Sequence, residues 1–117
     1  MRVPFYLCFL ILFLINCKTD CENIGSFSSF ERAKKEIKAT NFTLEDKCNM
    51  NKSSWLKRAE YFSCDQEVGF LIVSTKSGKN YLYANVPKSV WNDFKSADSF
   101  GHYYNTVLKG NYQFSLN

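Results

Sequence analysis

The sequence predicts an α+β fold: a small antiparallel meander of three to four strands, packed against two C-terminal helices and one N-terminal helix. Hydrophobic residues alternate with a period of two over residues 53–63 and again over 80–84, which is typical of strands with one buried face. After residue 87 the apolar residues recur with helical spacing instead. With 117 residues, the chain has room for one such domain.

The N-terminal segment indicates export. A nearly unbroken apolar run, residues 3–15, follows a single early positive charge. This run is too short to cross a bilayer, which takes ~20 helical residues, and it is typical of the hydrophobic region of a signal peptide. We therefore predict a signal peptide over residues 1–16, with a retained membrane anchor as the alternative.

A lipid anchor is predicted at Cys17. The stretch "LINC", residues 14–17, resembles the bacterial lipoprotein processing box, in which the cysteine becomes the acylated mature N-terminus. Asn16 departs from the small residue that usually precedes that cysteine. We expect a protein exported to the cell envelope, anchored to a membrane through Cys17 and carrying a polar tether over residues 17–27. A periplasmic or secreted protein is the alternative.

The cysteines indicate a disulfide and the single histidine argues against a metal. Four cysteines remain after the signal peptide: Cys17, Cys21, Cys48 and Cys64. An oxidising compartment favours a disulfide, and Cys48 with Cys64 would close a loop of ~15 residues, worth about 3 kcal/mol in the chain-entropy model. Cys21 on the tether is a competing partner. Without a C-x-x-C pair, one histidine cannot complete a zinc set, so we expect no metal and no cofactor.

The charge distribution does not single out a nucleic-acid partner. The formal net charge is +4, and no run of adjacent basic residues exceeds two. A nucleic-acid-binding surface normally shows clustered Lys and Arg. The charge therefore permits a polyanionic partner without implying one.

Residues 28–51 are predicted to form an extension that precedes the domain. Ser28 and Glu31 have the spacing of a capping box at the start of a short amphipathic helix. The apolar stripe of that helix is Phe30, Ala33 and Ile37. A brief strand is expected over residues 41–44.

Three strands are then predicted over residues 53–63, 69–75 and 80–84. Gly78 supplies the positive φ for the four-residue turn between the last two. Tyr81 and Tyr83 must share one face of the sheet, because side chains alternate along a strand. In the first strand the alternation predicts two sides, one with Trp55, Ala59 and Tyr61 and the other with Leu56 and Phe62.

Two helices are predicted after the sheet. Pro87 ends the last strand and suits the first position of a helix, and this helix carries Val90, Trp91 and Phe94 on one side. A second helix begins near Asp98 or Ser99 and ends at Gly110. Its apolar stripe is Phe100, Tyr103, Tyr104, Val107 and Leu108.

The stretch "YLYANVPKSVWNDFKSADSFGHYYN", together with "SSWLKRAEYF" upstream, resembles the KTSC domain family. The shared elements, in order, are Tyr-x-Tyr, Val-Pro, a short helix, Ala97-x-Ser99-x-Gly101, an aromatic residue and Asn105. The resemblance covers roughly residues 52–114, and we place the domain over residues 52–116. The family is named for its presence at the end of some lysyl-tRNA synthetases, and its function is not known. RNA binding has been suggested for it, which implies an RNA-binding domain as an alternative function here.

Catalysis is not expected. Asp98, Ser99 and His102 have the residue types of a catalytic triad, but they lie within one turn at the start of one helix. Neighbours on one turn cannot converge as nucleophile, base and orienting group. We therefore predict that the protein is not an enzyme.

The predicted function is a non-catalytic binding or interaction module at the bacterial cell envelope, with an unidentified envelope component as partner. The tyrosine rings are expected to build the domain while their hydroxyls contact that partner. Backbone N–H groups at the helix start near Ser99 suit an anionic or hydroxyl-rich group. The predicted ligand-binding residues are Tyr81, Tyr83, Ser99, Gly101 and Asn105.

Overall fold

The computed structural model describes residue 27 and residues 29–112. The elements, in chain order, are α1 (Phe30–Ala39), β1 (Leu44–Asn49), β2 (Leu56–Ser63), β3 (Val68–Thr75), β4 (Asn80–Pro87), α2 (Lys88–Ser96) and α3 (Phe100–Tyr103), which continues as a π-helical segment, Tyr104–Leu108. The strands form one antiparallel sheet in the order β1-β2-β3-β4. The predicted α+β fold is confirmed.

The predicted signal peptide, the lipidation of Cys17 and nearly all of the tether lie outside the described residues. In the part of the chain that the structure describes, no helix has the length and apolar character needed to cross a membrane. The export signal and the lipid anchor remain predictions.

The first face of the sheet carries the main core, which α2, α3 and the π-helical segment cover. Trp91 of α2 stacks on Tyr61 of β2, with ring centroids 5.5 Å apart and an interplanar angle of 11°. The Tyr61 hydroxyl donates to the carbonyl of Val86 at 2.8 Å, and burial raises the pKa of Tyr61 to about 12. The buried members are Met50, Leu56, Ala59, Tyr61, Leu71, Val73, Tyr83, Val86, Trp91, Phe94, Phe100, Tyr104 and Leu108.

A smaller core on the second face is covered by α1. The side-chain oxygen of Ser29 accepts a hydrogen bond from the Arg32 N–H at 3.1 Å and caps the helix; the predicted cap, Ser28, lies outside the described residues. Ala33 and Ile37 are fully buried, as predicted, but Phe30 remains 49% exposed. The buried members are Phe27, Ala33, Ile37, Phe42, Phe62, Ile72 and Leu82.

A β-bulge corrects the predicted faces of β2. The register with β3 shifts between Leu56 and Arg58, so strict alternation fails at the start of the strand. Leu56 therefore packs into the first-face core beside Ala59 and Tyr61, whereas period-two alternation predicted it on the opposite side. Phe62 lies on the second face, as predicted.

The strand in the extension lies later than predicted and joins the same sheet as the other strands. It covers Leu44–Asn49 and not residues 41–44, and it pairs with β2 along its whole length. Its Asp46 accepts hydrogen bonds from the Trp91 indole N–H at 2.9 Å and from Lys95 Nζ at 2.6 Å, both on α2. The extension is therefore fastened to the sheet and to a C-terminal helix.

Glu60, a buried carboxylate, fastens the extension on the second face. Its side chain is 7% exposed and lies 3.5 Å from Lys38 of α1, 3.9 Å from Lys47 of β1 and 3.8 Å from Arg58. A buried carboxylate is destabilising unless nearby cations compensate it. These ion pairs thus hold α1 and β1 against β2.

The predicted Cys48–Cys64 disulfide is wrong. Cys48 is a free cysteine that packs against the first-face core, whereas Cys64 packs against the second-face core. Cys48 also lies opposite Ala59, five residues from Cys64, or about 16 Å along an extended chain. Disulfide-bonded residues need Cα atoms within about 7 Å. No disulfide joins two described residues.

Candidate functional site

A cleft of about 360 Å³ lies between the loop that leads into β2 and the start of α3. We call it the hairpin–helix cleft. Its lining residues are Lys52, Ser53, Ser54, Trp55, Asp98, Ser99, Phe100, Gly101, His102 and Asn105. Three of the five predicted ligand-binding residues, Ser99, Gly101 and Asn105, are therefore brought together here.

The loop side of the cleft is held in place by Lys76, the residue that follows β3. Its ammonium group donates to the carbonyls of Asn51 at 2.9 Å and Ser53 at 2.6 Å. Its backbone N–H donates to the carbonyl of Trp55 at 2.9 Å. The Ser53 hydroxyl also accepts from the backbone N–H groups of Trp55 and Leu56. This loop is thus fixed before any ligand arrives.

The helix side of the cleft starts at a capped N-terminus. The Ser99 side-chain oxygen accepts a hydrogen bond from the His102 N–H at 3.1 Å. One of the N–H groups that the sequence predicted to be open for a ligand is thereby satisfied within the helix. The site consequently depends on side chains more than on the helix terminus.

The helix that bears the cleft changes from α to π geometry just after its first turn. The Lys109 N–H donates to the Tyr104 carbonyl at 2.9 Å, five residues back. Asn105, on the cleft, belongs to this π-helical segment. Single π turns within α-helices occur often at functional sites, and the sequence pattern, which fitted a regular α-helix, did not predict this one.

Gly101 allows Trp55 to pack against the helix on one side of the cleft. A Cβ at this position would lie 2.7 Å from Nε1 of Trp55, closer than carbon and nitrogen approach without a bond. The absent side chain lets the indole lie directly against the helix backbone. Gly101 was predicted as a ligand-binding residue, and in the structure the group that lies against it is the Trp55 side chain at the entrance to β2.

Behind the cleft, the Tyr104 ring supports Trp55, and the rings of Tyr81 and Tyr83 in turn contact Tyr104. The Trp55 ring packs edge-on against Tyr104, with centroids 5.2 Å apart, and the hydroxyls of Tyr104 and Tyr83 form a buried hydrogen bond. Burial raises the pKa of both phenols. The Tyr81 ring lies 6.1 Å from Tyr104 and is 37% exposed.

Tyr81 and Tyr83 therefore do not line the cleft. They share one face of β4, as predicted, but Tyr83 is only 5% exposed and its hydroxyl is engaged by Tyr104. Their position supports the wall that carries Trp55. Their predicted contact with a partner has no counterpart in the geometry of the cleft.

Several polar side chains of the cleft have no hydrogen-bond partner within the described part of the chain. These are the Ser54 hydroxyl, the Asp98 carboxylate, the His102 imidazole and the Asn105 amide. The Lys52 ammonium lies 4.8 Å from the centre of the Phe100 ring, a cation–π distance. The cleft thus presents both hydrogen-bond donors and acceptors to an incoming molecule.

Asp98, Ser99 and His102 all line the cleft, but no hydrogen bond joins their side chains in the described part of the chain. The Ser99 oxygen accepts from the backbone of His102 and not from its imidazole. Among the described residues, no group of three or more His, Cys, Asp and Glu side chains has the arrangement of a metal site.

Sequence reasoning missed the loop side of the cleft. The residues on this side lie some 45 residues from the helix that completes the site; they are Lys52, Ser53, Ser54 and Trp55. The sequence predicts the last three of them in the first strand of the meander and Lys52 just before it. One signal was present. A glycine is unfavourable within a helix and often marks a close approach by another group, and Trp55 is one of only two tryptophans that could make it.

The KTSC domain model matches residues 52–112, about half of the chain. Among solved structures, the chain is similar to a KTSC domain protein from Yersinia pestis, with a TM-score of 0.50 and 25% sequence identity over 59% of this chain and 92% of that one. No curated protein sequence matches the chain. The model's span includes both sides of the hairpin–helix cleft, whereas α1 and β1 precede it.

Proposed function

The chain belongs to the KTSC domain family, and from this premise we propose that it is a non-catalytic binding module of the bacterial cell envelope, with its ligand site in the hairpin–helix cleft. One observation carries the proposal. Side chains from two distant segments, Ser54 on one and Asp98, His102 and Asn105 on the other, line one cleft without hydrogen-bond partners among the described residues. Polar groups that converge in a concave site are the usual sign of a ligand site.

The rigidity of the cleft supports binding over a purely structural role. Lys76 holds the loop through three hydrogen bonds, and Tyr104 supports Trp55 from behind. A site that is already ordered loses little conformational entropy when a ligand binds. The domain thus holds both sides of the cleft in place, while its polar side chains stay available for hydrogen bonds to a ligand.

The envelope location rests on the sequence before residue 27. The apolar run over residues 3–15 and the lipoprotein-like "LINC" over 14–17 favour export and acylation of Cys17. Mass spectrometry of the mature N-terminus tests this part separately. A chain that begins at an acylated Cys17 supports it, and an intact Met1 or any other start contradicts it.

The non-catalytic role is supported by the use of Ser99. Its oxygen caps the helix, and a catalytic serine would instead need a hydrogen bond to its base. RNA binding is the alternative that the family suggests. Retention of an RNA pool that falls steeply with salt would favour that alternative.

The test uses the full-length protein and isolated cell-envelope fractions. Asn105→Ala removes a polar group of the cleft, while Asn92→Ala, on the exposed side of α2, is the matched control. We expect the parent and Asn92→Ala to be retained by the envelope fraction, and Asn105→Ala to be retained less. Equal retention of all three proteins, or no retention of the parent, would reject the proposal.

A further inference from the structure

We propose that the hairpin–helix cleft selects an uncharged, hydroxyl-rich ligand, a saccharide unit, in preference to a phosphate-bearing one. This inference rests on the proposed function, since it names the class of ligand for the same site. It is drawn from the charges, the hydrogen-bonding groups and the size of the cleft.

The charges that line the cleft balance each other. Its charged residues are one cation, Lys52, and one anion, Asp98, with His102 counted as neutral. Sites for phosphate groups gather several cations and exclude carboxylates, because a phosphate carries up to two negative charges. The Asp98 carboxylate has no cation within salt-bridge distance in the described part of the chain. It would therefore repel a phosphate.

The same carboxylate suits a hydroxyl group. An ionised carboxylate only accepts hydrogen bonds, while an amide such as that of Asn105 both donates and accepts. Hydroxyl groups also do both, so neighbouring hydroxyls on one sugar ring can satisfy a carboxylate and an amide together. Hydrogen bonds to a charged acceptor are among the stronger ones. Asp98 and Asn105 thus form a donor and acceptor set that a polyol satisfies.

Trp55 also lines the cleft and adds an aromatic side chain beside these polar groups. Its position is fixed by Gly101 on one side and by the Tyr104 ring, 5.2 Å away. A rigid tryptophan offers a large contact area with little loss of side-chain entropy. A sugar ring has both apolar C–H groups and hydroxyls, so it fits a site with one aromatic wall and several polar side chains.

The size of the cleft limits the ligand to a short unit. At about 360 Å³, it is at the lower end of the ~300–1,000 Å³ range of small-molecule sites. One or two sugar rings match this volume. A longer polymer would engage the cleft with a few of its units and leave the rest outside.

The experiment measures binding of neutral oligosaccharides to the full-length protein in a detergent without a sugar headgroup. The probes are trisaccharides of glucose, galactose, mannose and N-acetylglucosamine, each with and without a terminal phosphate. We expect at least one neutral probe to bind and its phosphorylated form to bind more weakly. Tighter binding of the phosphorylated form would overturn the inference.

Asp98→Asn provides a test whose sign differs between the two ligand classes. It removes the negative charge while retaining a similar shape, and Asp93→Asn on the exposed side of α2 is the matched control. For a neutral saccharide, loss of a charge-assisted hydrogen bond should weaken binding ~10-fold or more. If the natural ligand carries a phosphate, Asp98→Asn should instead strengthen retention of the protein by the envelope fraction, and that result would contradict the inference.

The saccharide inference and the proposed function can fail separately. If no trisaccharide binds while Asn105→Ala still reduces retention by the envelope fraction, the saccharide inference is wrong and the cleft remains a binding site. If no trisaccharide binds, and Asn105→Ala does not change retention of the protein by the envelope fraction, both the saccharide inference and the proposed function are wrong.

Discussion

A methyl group on residue 101 would lie 2.7 Å from the indole nitrogen of Trp55, so the glycine and the tryptophan fit each other as one wall of the hairpin–helix cleft. Gly101 belongs to α3 and Trp55 precedes β2. The contact therefore joins the two segments that form the cleft. It also makes the architecture of the site testable by single substitutions.

Gly101→Ala should destabilise the protein. In an ordinary helix this change is stabilising by up to ~1 kcal/mol, but here the added methyl meets the indole, and overpacking typically costs ~1–3 kcal/mol. Denaturant unfolding of the full-length protein measures the change in the free energy of unfolding. Trp55→Phe, with a smaller ring, should relieve the clash, so the double variant should lose less than the two single losses added together. A neutral or stabilising Gly101→Ala would show that the contact is not tight.

The hydrogen bonds that Asp46 accepts from Lys95 and Trp91 should make the stability of the fold depend on pH. Hydrogen bonds from Lys95 and Trp91 hold the pKa of Asp46 below its ordinary value. A carboxylate with a lowered folded pKa stabilises the fold above its unfolded pKa of about 3.9, and this contribution is lost as the pH falls through the folded pKa.

Asp46→Asn should therefore be less stable than the parent at pH 7, by about 1 kcal/mol for this partly exposed group. The difference should shrink as the pH falls below about 4. Urea titrations at pH 7 and pH 3 measure it, with Asp93→Asn as the matched control. A difference that is the same at both pH values would contradict the ionic contribution of Asp46.

Tyr104→Ala should cost much more stability than His102→Ala. Tyr104 is 4% exposed and contacts Trp55, Tyr81 and Tyr83, and truncation of a buried aromatic costs ~3–5 kcal/mol. The exposed His102 side chain should change the free energy of unfolding by no more than about 0.5 kcal/mol. The same denaturant titration checks both variants. Similar losses would mean that the helix faces are assigned incorrectly.

Much of the fold could be predicted because period-two and helical patterns reflect burial directly. The turn at Gly78, with φ +94°, and the burial of Trp91 and Phe94 followed from local pattern alone. The face of Leu56 did not, because a β-bulge changes the alternation and depends on how two strands pair. The sequence pattern does not reveal the π-helical segment either, because the spacing of its apolar residues also fits an α-helix.

The candidate site was predicted on one side only. Ser99, Gly101 and Asn105 lie close together in the sequence, within the stretch that resembles the family. The loop from Lys52 to Trp55 is distant in the sequence and meets them only in the tertiary fold. The position of the Tyr83 hydroxyl also depends on the tertiary fold. Alternation along the strand places Tyr83 on the covered face of the sheet. It does not reveal that the Tyr83 hydroxyl is hydrogen-bonded to the Tyr104 hydroxyl.

The cysteine pairing needs a revised prediction. Cys64 packs on the second face with Phe27, and Cys21 precedes Phe27 by six residues, a reach of about 20 Å. If Cys17 is acylated as predicted, then, since Cys48 is free on the opposite face, Cys21 is the remaining candidate partner for Cys64. Non-reducing peptide mapping of the exported protein should recover a Cys21–Cys64 peptide. A bridged peptide that contains Cys48 would contradict this pairing.

The hairpin–helix cleft as the ligand site is the central claim, and site-specific photo-crosslinking in cells tests it most directly. A photoreactive residue replaces Asn105 in the cleft or, as the control, Asn92 on the exposed side of α2. We predict a discrete crosslinked product from position 105 and none from position 92, with the product lost when Asp98→Ala is added. No product from position 105, or the same product from both positions, would contradict the claim.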